Sequence, residues 1–532
     1  MARGRTIAII SGASVLALAA AGGGAYYLLH TRGTPAETAQ RFAAAWQAGQ
    51  LDKMTAELTA PASLVAYEQQ RKGLDVEQTK VTLGAPVEGD GSAAVPYTAT
   101  LKLRNAGEWT YQGTINLKVH ERAWKVDWTP ATLHPELTPG AAFSVKSAWP
   151  ARAAVTDANG DRIDDGGAGG SIQQLVGFLD KATKEDVAKY GPSYKVGQAI
   201  GRGGLQATFQ TRLAGIPATQ IMLGGKVLHT IKGQKGKPLE TTLDPRIQAA
   251  AVEAVREVDK PASIVAIKPS TGGILAVVNN RGDMNRALDG QYAPGSTFKA
   301  VTALGLLAEG VKPADRVSCP KYAYVGGLKI RNSEHAEYGS LSFSDSFAYS
   351  CNTTIAPMAQ KQLGADKLQQ AAELVGFNQP LQIGVPARQP SFPKATSDSE
   401  LAAASFGQAR LIATPLTMAS VGAAIADGTW RPPTLVEGRK QKAEPRPLPD
   451  QVLKPLHQMM SAVVTKGTAK AAGLPAGTYG KTGTAEYGNP VAGQHAWFMG
   501  FKGEVAFAVI VEGGGGGGKV AAPIAARFLN GL

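Results

Sequence analysis

Cysteine is almost missing from this chain: Cys319 and Cys351 are the only two in 532 residues. A disulfide-built scaffold is thereby excluded, and no Cys-x-x-Cys metal spacing exists. Seven histidines are present, but no His-Glu-x-x-His pattern, so no metal or other cofactor is expected. A Gly-x-Ser-x-Gly elbow is also lacking and no histidine stands in a triad setting, which speaks against a Ser-His-Asp hydrolase. Charged residues amount to 18% and hydrophobic ones to 44%, an ordinary globular balance that rules out a disordered chain. The net charge of +13 comes without a basic helix or an aromatic-interleaved basic patch, so no nucleic-acid partner is expected.

What is present begins with an uncharged run from Ile7 to Leu29, preceded by Arg3 and Arg5 and followed by Arg32. It is long enough to cross a bilayer, and the leading arginines keep the short tip in the cytoplasm. A single-pass protein of the cell membrane is therefore expected, with the rest of the chain extracytoplasmic. A cleaved signal peptide is the alternative, since Leu18-Ala19-Ala20-Ala21 offers small residues to a peptidase. Export also accounts for the positive charge, because the neighbours are then anionic lipids and wall polymers. In that compartment Cys319 and Cys351 could pair, or stand as two small buried hydrophobes. Sequence alone leaves both readings open.

The length calls for several domains. A cytoplasmic tip and anchor (1–33) come first, and a helix from Ala36 to Leu51 follows. Three alternating runs come later: Val95-Tyr97-Ala99-Leu101-Leu103, Trp109-Tyr111-Gly113-Ile115-Leu117-Val119 and Trp124-Val126-Trp128. Their period of two marks half-buried antiparallel strands. A helix laid on a curved sheet, hence a small α+β domain over 34–140, is predicted, and Gly-rich text with polar helical stretches fills 141–240.

From 241 to 532 the pattern changes again. Asp244-Pro245 writes a helix start, and Ser263 to Ile267 with Gly273 to Val278 reads as a hairpin. Gly480 to Glu486, His495 to Phe501 and Val505 to Val511 read as a strand meander, and Ala521 to Leu529 as a closing helix. The predicted result is an antiparallel sheet built from both ends of the segment, with helices between. Gly513 to Gly518 is expected to be a flexible surface loop, since no Lys-Ser/Thr context makes it a phosphate cradle.

Three strings in this segment carry chemistry: Ser296-Thr297-Phe298-Lys299, Ser350-Cys351-Asn352 and Lys481-Thr482-Gly483. Ser296 and Lys299 stand one helical turn apart, within reach of each other, so the lysine can take the serine's proton. For that it must be neutral, which burial and a second cation, Lys481, would favour. Lys481 in turn must keep its charge to hold a carboxylate. Ser350 can relay a proton and Asn352 can hold a substrate carbonyl. Lys481 to Thr484 fits an edge strand to which an extended peptide could add, Gly483 allowing close approach. Each string alone is cheap, because Ser, Asn and Lys-Thr-Gly are also common caps and turns.

Together, in this order and in an exported chain, they closely resemble the transpeptidase domain of class B penicillin-binding proteins. The resemblance extends to Thr242-Leu243-Asp244, Pro294-Gly295-Ser296, Ser405-Phe406-Gly407-Gln408 and Gly483-Thr484-Ala485-Glu486. It implies Ser296 as nucleophile, Lys299 as base, Ser350 as relay and Asn352 as substrate contact. It also implies Lys481 and Thr482 as the carboxylate site, with backbone amides of Ser296 and Thr484 as oxyanion hole. Residues 141–240 resemble the dimerisation-type domain of that class. Residues 34–140 are similar to the nuclear-transport-factor-like extension of low-affinity members. The implied fold is multidomain α+β: membrane helix, small cone domain, dimerisation-type domain and β-lactamase-like transpeptidase domain.

The implied activity is D,D-transpeptidation of peptidoglycan stem peptides, with β-lactams as covalent ligands and cell-wall synthesis or division proteins as partners. A β-lactam hydrolase shares the acylation site, but the Glu-x-x-Leu-Asn pattern that activates water in class A enzymes is missing. A non-catalytic β-lactam sensor or divisome scaffold, using an acylatable domain as a binding module, is the other alternative, and complementation by Ser296→Ala would count against catalysis.

Overall fold

The computed structural model describes residues 31–532, apart from 105, 167–169, 192 and 489–490. The uncharged run at 7–29, and the anchor expected there, lies outside the described residues. Among the described residues no helix is long and apolar enough to cross a membrane. The chain divides into two compact units, one containing residues up to 152 with 181–199 and 214–236, the other 153–180, 200–213 and 237–532. Residues 141–240 are thus shared between the two units.

In the first unit, α1 (Pro35–Ala48) starts where Thr34 accepts from the Glu37 amide and Glu37 reaches back to the Thr34 amide, a capping box. It ends on Gly49 in the left-handed conformation, which costs glycine little. Phe42 and Trp46 are fully buried and share one core with the sheet. That sheet runs β1 (Val76–Leu83), β2 (Ser92–Leu103), β3 (Gly107–His120), β4 (Ala123–Val126), all antiparallel neighbours. The alternation read from sequence is the inward face: Val95, Tyr97, Ala99, Leu101 and Leu103 are all buried. A three-stranded sheet of β5 (Phe143–Ala148), β6 (Ala218–Leu223) and β7 (Lys226–Ile231) belongs to the same unit.

In the second unit, α2 (Pro245–Val255) begins where the Asp244 carboxylate accepts from the amides of Arg246 and Ile247. The hairpin strands β8 (Ala262–Ile267) and β9 (Ile274–Asn279) follow, then α3 (Lys299–Ala308) and the short strands β10 (Arg316–Cys319), β11 (Tyr322–Val325) and β12 (Leu328–Arg331). Next come α4 (Phe343–Ala348), α5 (Asn352–Met358) and α6 (Pro415–Asp427), then the meander β13 (Tyr479–Tyr487), β14 (Gly493–Lys502), β15 (Val505–Val511) and the closing helix α7 (Ala521–Asn530). The main sheet has the order β9-β8-β15-β14-β13, antiparallel throughout. Consecutive residues of β8 and β15 are buried, so helices cover both faces, and such strands read as apolar runs. This order leaves β13, which carries Lys481 to Thr484, at the edge.

Candidate active site

The turn before the first lysine is tighter than the sequence suggests. Gly295–Phe298 is a 3-10 turn, and the α-helix begins only at Lys299. Gly295 has φ +55°, and a Cβ there would stand 2.6 Å from the Thr484 carbonyl oxygen. Behind it, a Cβ on Gly407 would lie 2.0 Å from the Gly295 oxygen, and the Gly295 amide donates to the Gly407 carbonyl at 2.9 Å. Only glycine fits these positions, so Ser405-Phe406-Gly407-Gln408 backs the turn that presents Ser296.

Both lysines are buried, Lys299 1% exposed and Lys481 0%. Lys299 Nζ donates to the Ser350 carbonyl at 2.6 Å and to Asn352 Oδ1 at 2.5 Å, and lies within hydrogen-bond distance of Ser350 Oγ at 3.1 Å. Lys481 Nζ donates to Ser350 Oγ at 2.9 Å and to the Thr482 carbonyl at 2.9 Å, and lies 5.6 Å from the centre of the Phe347 ring. None of these contacts is a carboxylate. Burial, then the neighbouring Lys481, holds Lys299 well below the ordinary lysine range. Burial also lowers Lys481 to about 7, so the permanent charge expected of it is not a resting property. A bound carboxylate would restore it.

Ser350 is the common partner of the two amines, and its backbone has φ +62°, unusual for a residue with a Cβ. Asn352 Nδ2 donates to the Arg331 carbonyl at 2.8 Å, tying the second string to the end of β12. Thr482 Oγ1 hydrogen-bonds with Thr468 Oγ1 at 2.6 Å. Ser296, Asn352 and Thr484 line one cavity of about 460 Å³. Among the described residues no hydrogen bond joins Ser296 to Lys299, whose amine contacts Ser350 and Asn352 instead. Catalytic contacts often tighten only when substrate is bound.

Other residues of the cavity are not in the three strings. Arg331 pairs with Glu486 at 3.0 Å, and Lys519 with Glu334 at 2.6 Å. Phe406 and Gln408 line it too, and their only sequence signal is the Ser-Phe-Gly-Gln string. The Gly513 to Gly518 segment departs from the expected flexible surface loop. A Cβ on Gly517 would meet the carbonyl oxygens of Gly483 at 2.1 Å and Trp497 at 2.3 Å, so this glycine packs directly on β13 and β14. Cys319 and Cys351, left open by sequence, are joined in a disulfide with Cα atoms 6.0 Å apart.

Residues 262–530 match the penicillin binding protein transpeptidase domain, and residues 34–141 match the NTF2-like N-terminal transpeptidase domain. Peptidoglycan D,D-transpeptidase PbpA of Mycolicibacterium smegmatis is 32% identical over 361 residues, covering 56% of this chain and 72% of that protein. Peptidoglycan D,D-transpeptidase MrdA of Acinetobacter baumannii is 26% identical, over 66% of this chain and 63% of that one. Among solved structures, Pseudomonas aeruginosa PBP2 in complex with WCK 5153 is similar with TM-score 0.63 and 26% identity, over 73% of this chain and 96% of that one. The ceftriaxone acyl-enzyme complex of penicillin-binding protein A from M. tuberculosis is similar with TM-score 0.52 and 26% identity, over 56% and 81%. The sheet and these matches define a serine-type acyltransferase. The chain belongs to the penicillin-binding protein transpeptidase family and carries an NTF2-like domain ahead of the transpeptidase domain.

Proposed function

We propose that this protein is a membrane-anchored D,D-transpeptidase that cross-links peptidoglycan stem peptides through an acyl-enzyme on Ser296. The observation that carries this reading is the fully buried pair of lysines around Ser350, one of them, Lys299, held by burial well below the ordinary lysine range beside the cavity that contains Ser296. A neutral Lys299 accepts the Ser296 proton as Oγ attacks the penultimate D-Ala carbonyl. The amides of Ser296 and Thr484 stabilise the oxyanion. Ser350 passes the proton on to the departing amine of D-Ala, and an amine of a second stem peptide then takes the acyl group. Lys481 and Thr482 hold the terminal carboxylate of the donor, which lies along β13 as an added strand, Gly483 admitting its backbone. β-Lactams acylate the same serine. The uncharged run at 7–29 holds the catalytic unit outside the cell membrane, where wall-synthesis or division proteins are its partners.

Intact-mass analysis after incubation with penicillin G tests the reading. A stable penicilloyl adduct on Ser296, absent in Ser296→Ala, is expected. Steady release of hydrolysed drug at about 1 s⁻¹ or faster would replace it with a hydrolase. Complementation of a deletion strain by Ser296→Ala would replace it with a scaffold.

A further inference from the structure

The second string is stitched to one short piece of chain. Thr354 Oγ1 donates to the Ser318 carbonyl at 2.7 Å, Cys351 is bonded to Cys319, and Thr353 Oγ1 donates to the Pro320 carbonyl at 2.8 Å. Three consecutive residues at the end of β10 thus hold three residues of the segment that begins at Ser350. Asn332, 3% exposed, completes the seam. Its Oδ1 accepts from the Thr353 amide at 3.1 Å, and its Nδ2 donates to the Pro320 carbonyl at 3.0 Å and the Ala336 carbonyl at 2.9 Å.

Cys351 stands between Ser350 and Asn352, the two residues that accept from the Lys299 amine. Ser350 keeps its left-handed backbone only while its surroundings over-determine it. Breaking the bridge turns bonded sulfurs into two thiols at non-bonded distance, of order 1.5 Å further apart. A shift of about 1 Å in a catalytic group can lower a rate about 100-fold.

We infer that Asn332 and the Cys319–Cys351 disulfide form one positioning unit that sets Ser350 and Asn352 against Lys299 and Lys481, so that acylation of Ser296 requires the oxidised bridge. This rests on the acyl-enzyme reading above. It ties activity to an oxidising compartment, because the same chain in a reducing one has its second string unpinned. Both sulfurs are buried, Cys319 0% and Cys351 2% exposed, so the bridge resists reductant in the folded protein.

The test measures the second-order rate of Ser296 acylation by a fluorescent penicillin, from pH 5 to 10, alongside the melting temperature. The proteins are wild type, the Cys319→Ser/Cys351→Ser and Cys319→Ala/Cys351→Ala double variants, and Asn332→Leu. Wild type reduced by dithiothreitol in mild urea and returned to buffer forms a further arm; there the bridge takes up two electrons and two protons as the reagent closes to its cyclic disulfide. The expected result is acylation about 10- to 100-fold slower in both double variants and the reduced protein, with the same direction in Asn332→Leu and an altered pH profile, and recovery on reoxidation. Variants that melt lower but acylate at the wild-type rate with the wild-type pH profile would overturn the inference, reducing the bridge to a staple. A wild type that takes no label at all would instead remove the acyl-enzyme reading.

Discussion

Both units bury polar side chains, but they satisfy them differently. In the N-terminal unit the Tyr97 hydroxyl donates to the Thr132 carbonyl at 3.0 Å, Tyr111 to the Leu133 carbonyl at 2.7 Å and Tyr67 to the Trp46 carbonyl at 3.1 Å. These groups are neutral and each has a neutral partner, so burial costs little. In the catalytic unit two amines are equally buried with no carboxylate among their partners. Such burial is expensive for a charge and persists only where the group's altered proton affinity is used. The contrast separates polar groups that build a core from polar groups kept for chemistry.

The strongest test of that contrast removes the amines. Lys299→Met is expected to slow acylation by penicillin G about 1000-fold or more while raising the melting temperature. Lys481→Met is also expected to raise it. Lys481 binds its proton less tightly folded, at about 7, than unfolded, near 10.4, so stability rises with pH between those values. The gain from Lys481→Met should therefore be largest at about pH 6 and close towards about pH 10.5. Thermal scans across that range check it, and a lower melting temperature at the acidic end would break the comparison.

Next in size is the glycine backing. Gly407→Ala places a Cβ against the Gly295 carbonyl and should cut acylation about 100-fold, read by stopped-flow with a fluorescent penicillin. A smaller effect comes from pH. Acylation by penicillin G should fall about 50-fold from pH 7 to pH 9 as Lys481 loses its proton, whereas the methyl ester, which has no carboxylate to hold, should show no such decline. Matching profiles for acid and ester would show that Lys481 does not read the carboxylate. Smallest is Tyr97→Phe in the other unit, expected to cost about 1 kcal/mol in urea unfolding and leave acylation unchanged.

Much of the fold was legible because its signals are local. The alternation in Val95 to Leu103 marked a half-buried strand, and Asp244-Pro245 marked a helix start at the correct residue. The order of the three strings singled out residues that the structure brings together, and the edge position of β13 was expected for Lys481 to Thr484. What was not legible depends on distant approach. Nothing in Gly513 to Gly518 announces that Gly517 packs against Gly483, since the constraint belongs to the other strand. The pairing of Cys319 with Cys351 needs a Cα separation that no spacing supplies. Lys481 was read as a fixed charge because its depth, which governs its proton affinity, is a tertiary property.

The edge strand β13 has one more consequence. A sheet margin with unpaired backbone groups is a template for self-association, and proteins usually blunt it with bulges, prolines or lysines pointing inward. An enzyme whose substrate completes its sheet has to leave that margin open. Here its Thr484 and Glu486 lie in a cavity of about 460 Å³ that also has Arg331, Glu334 and Lys519 on its walls. A partner of this margin therefore has to fit a walled recess that carries charges of both signs.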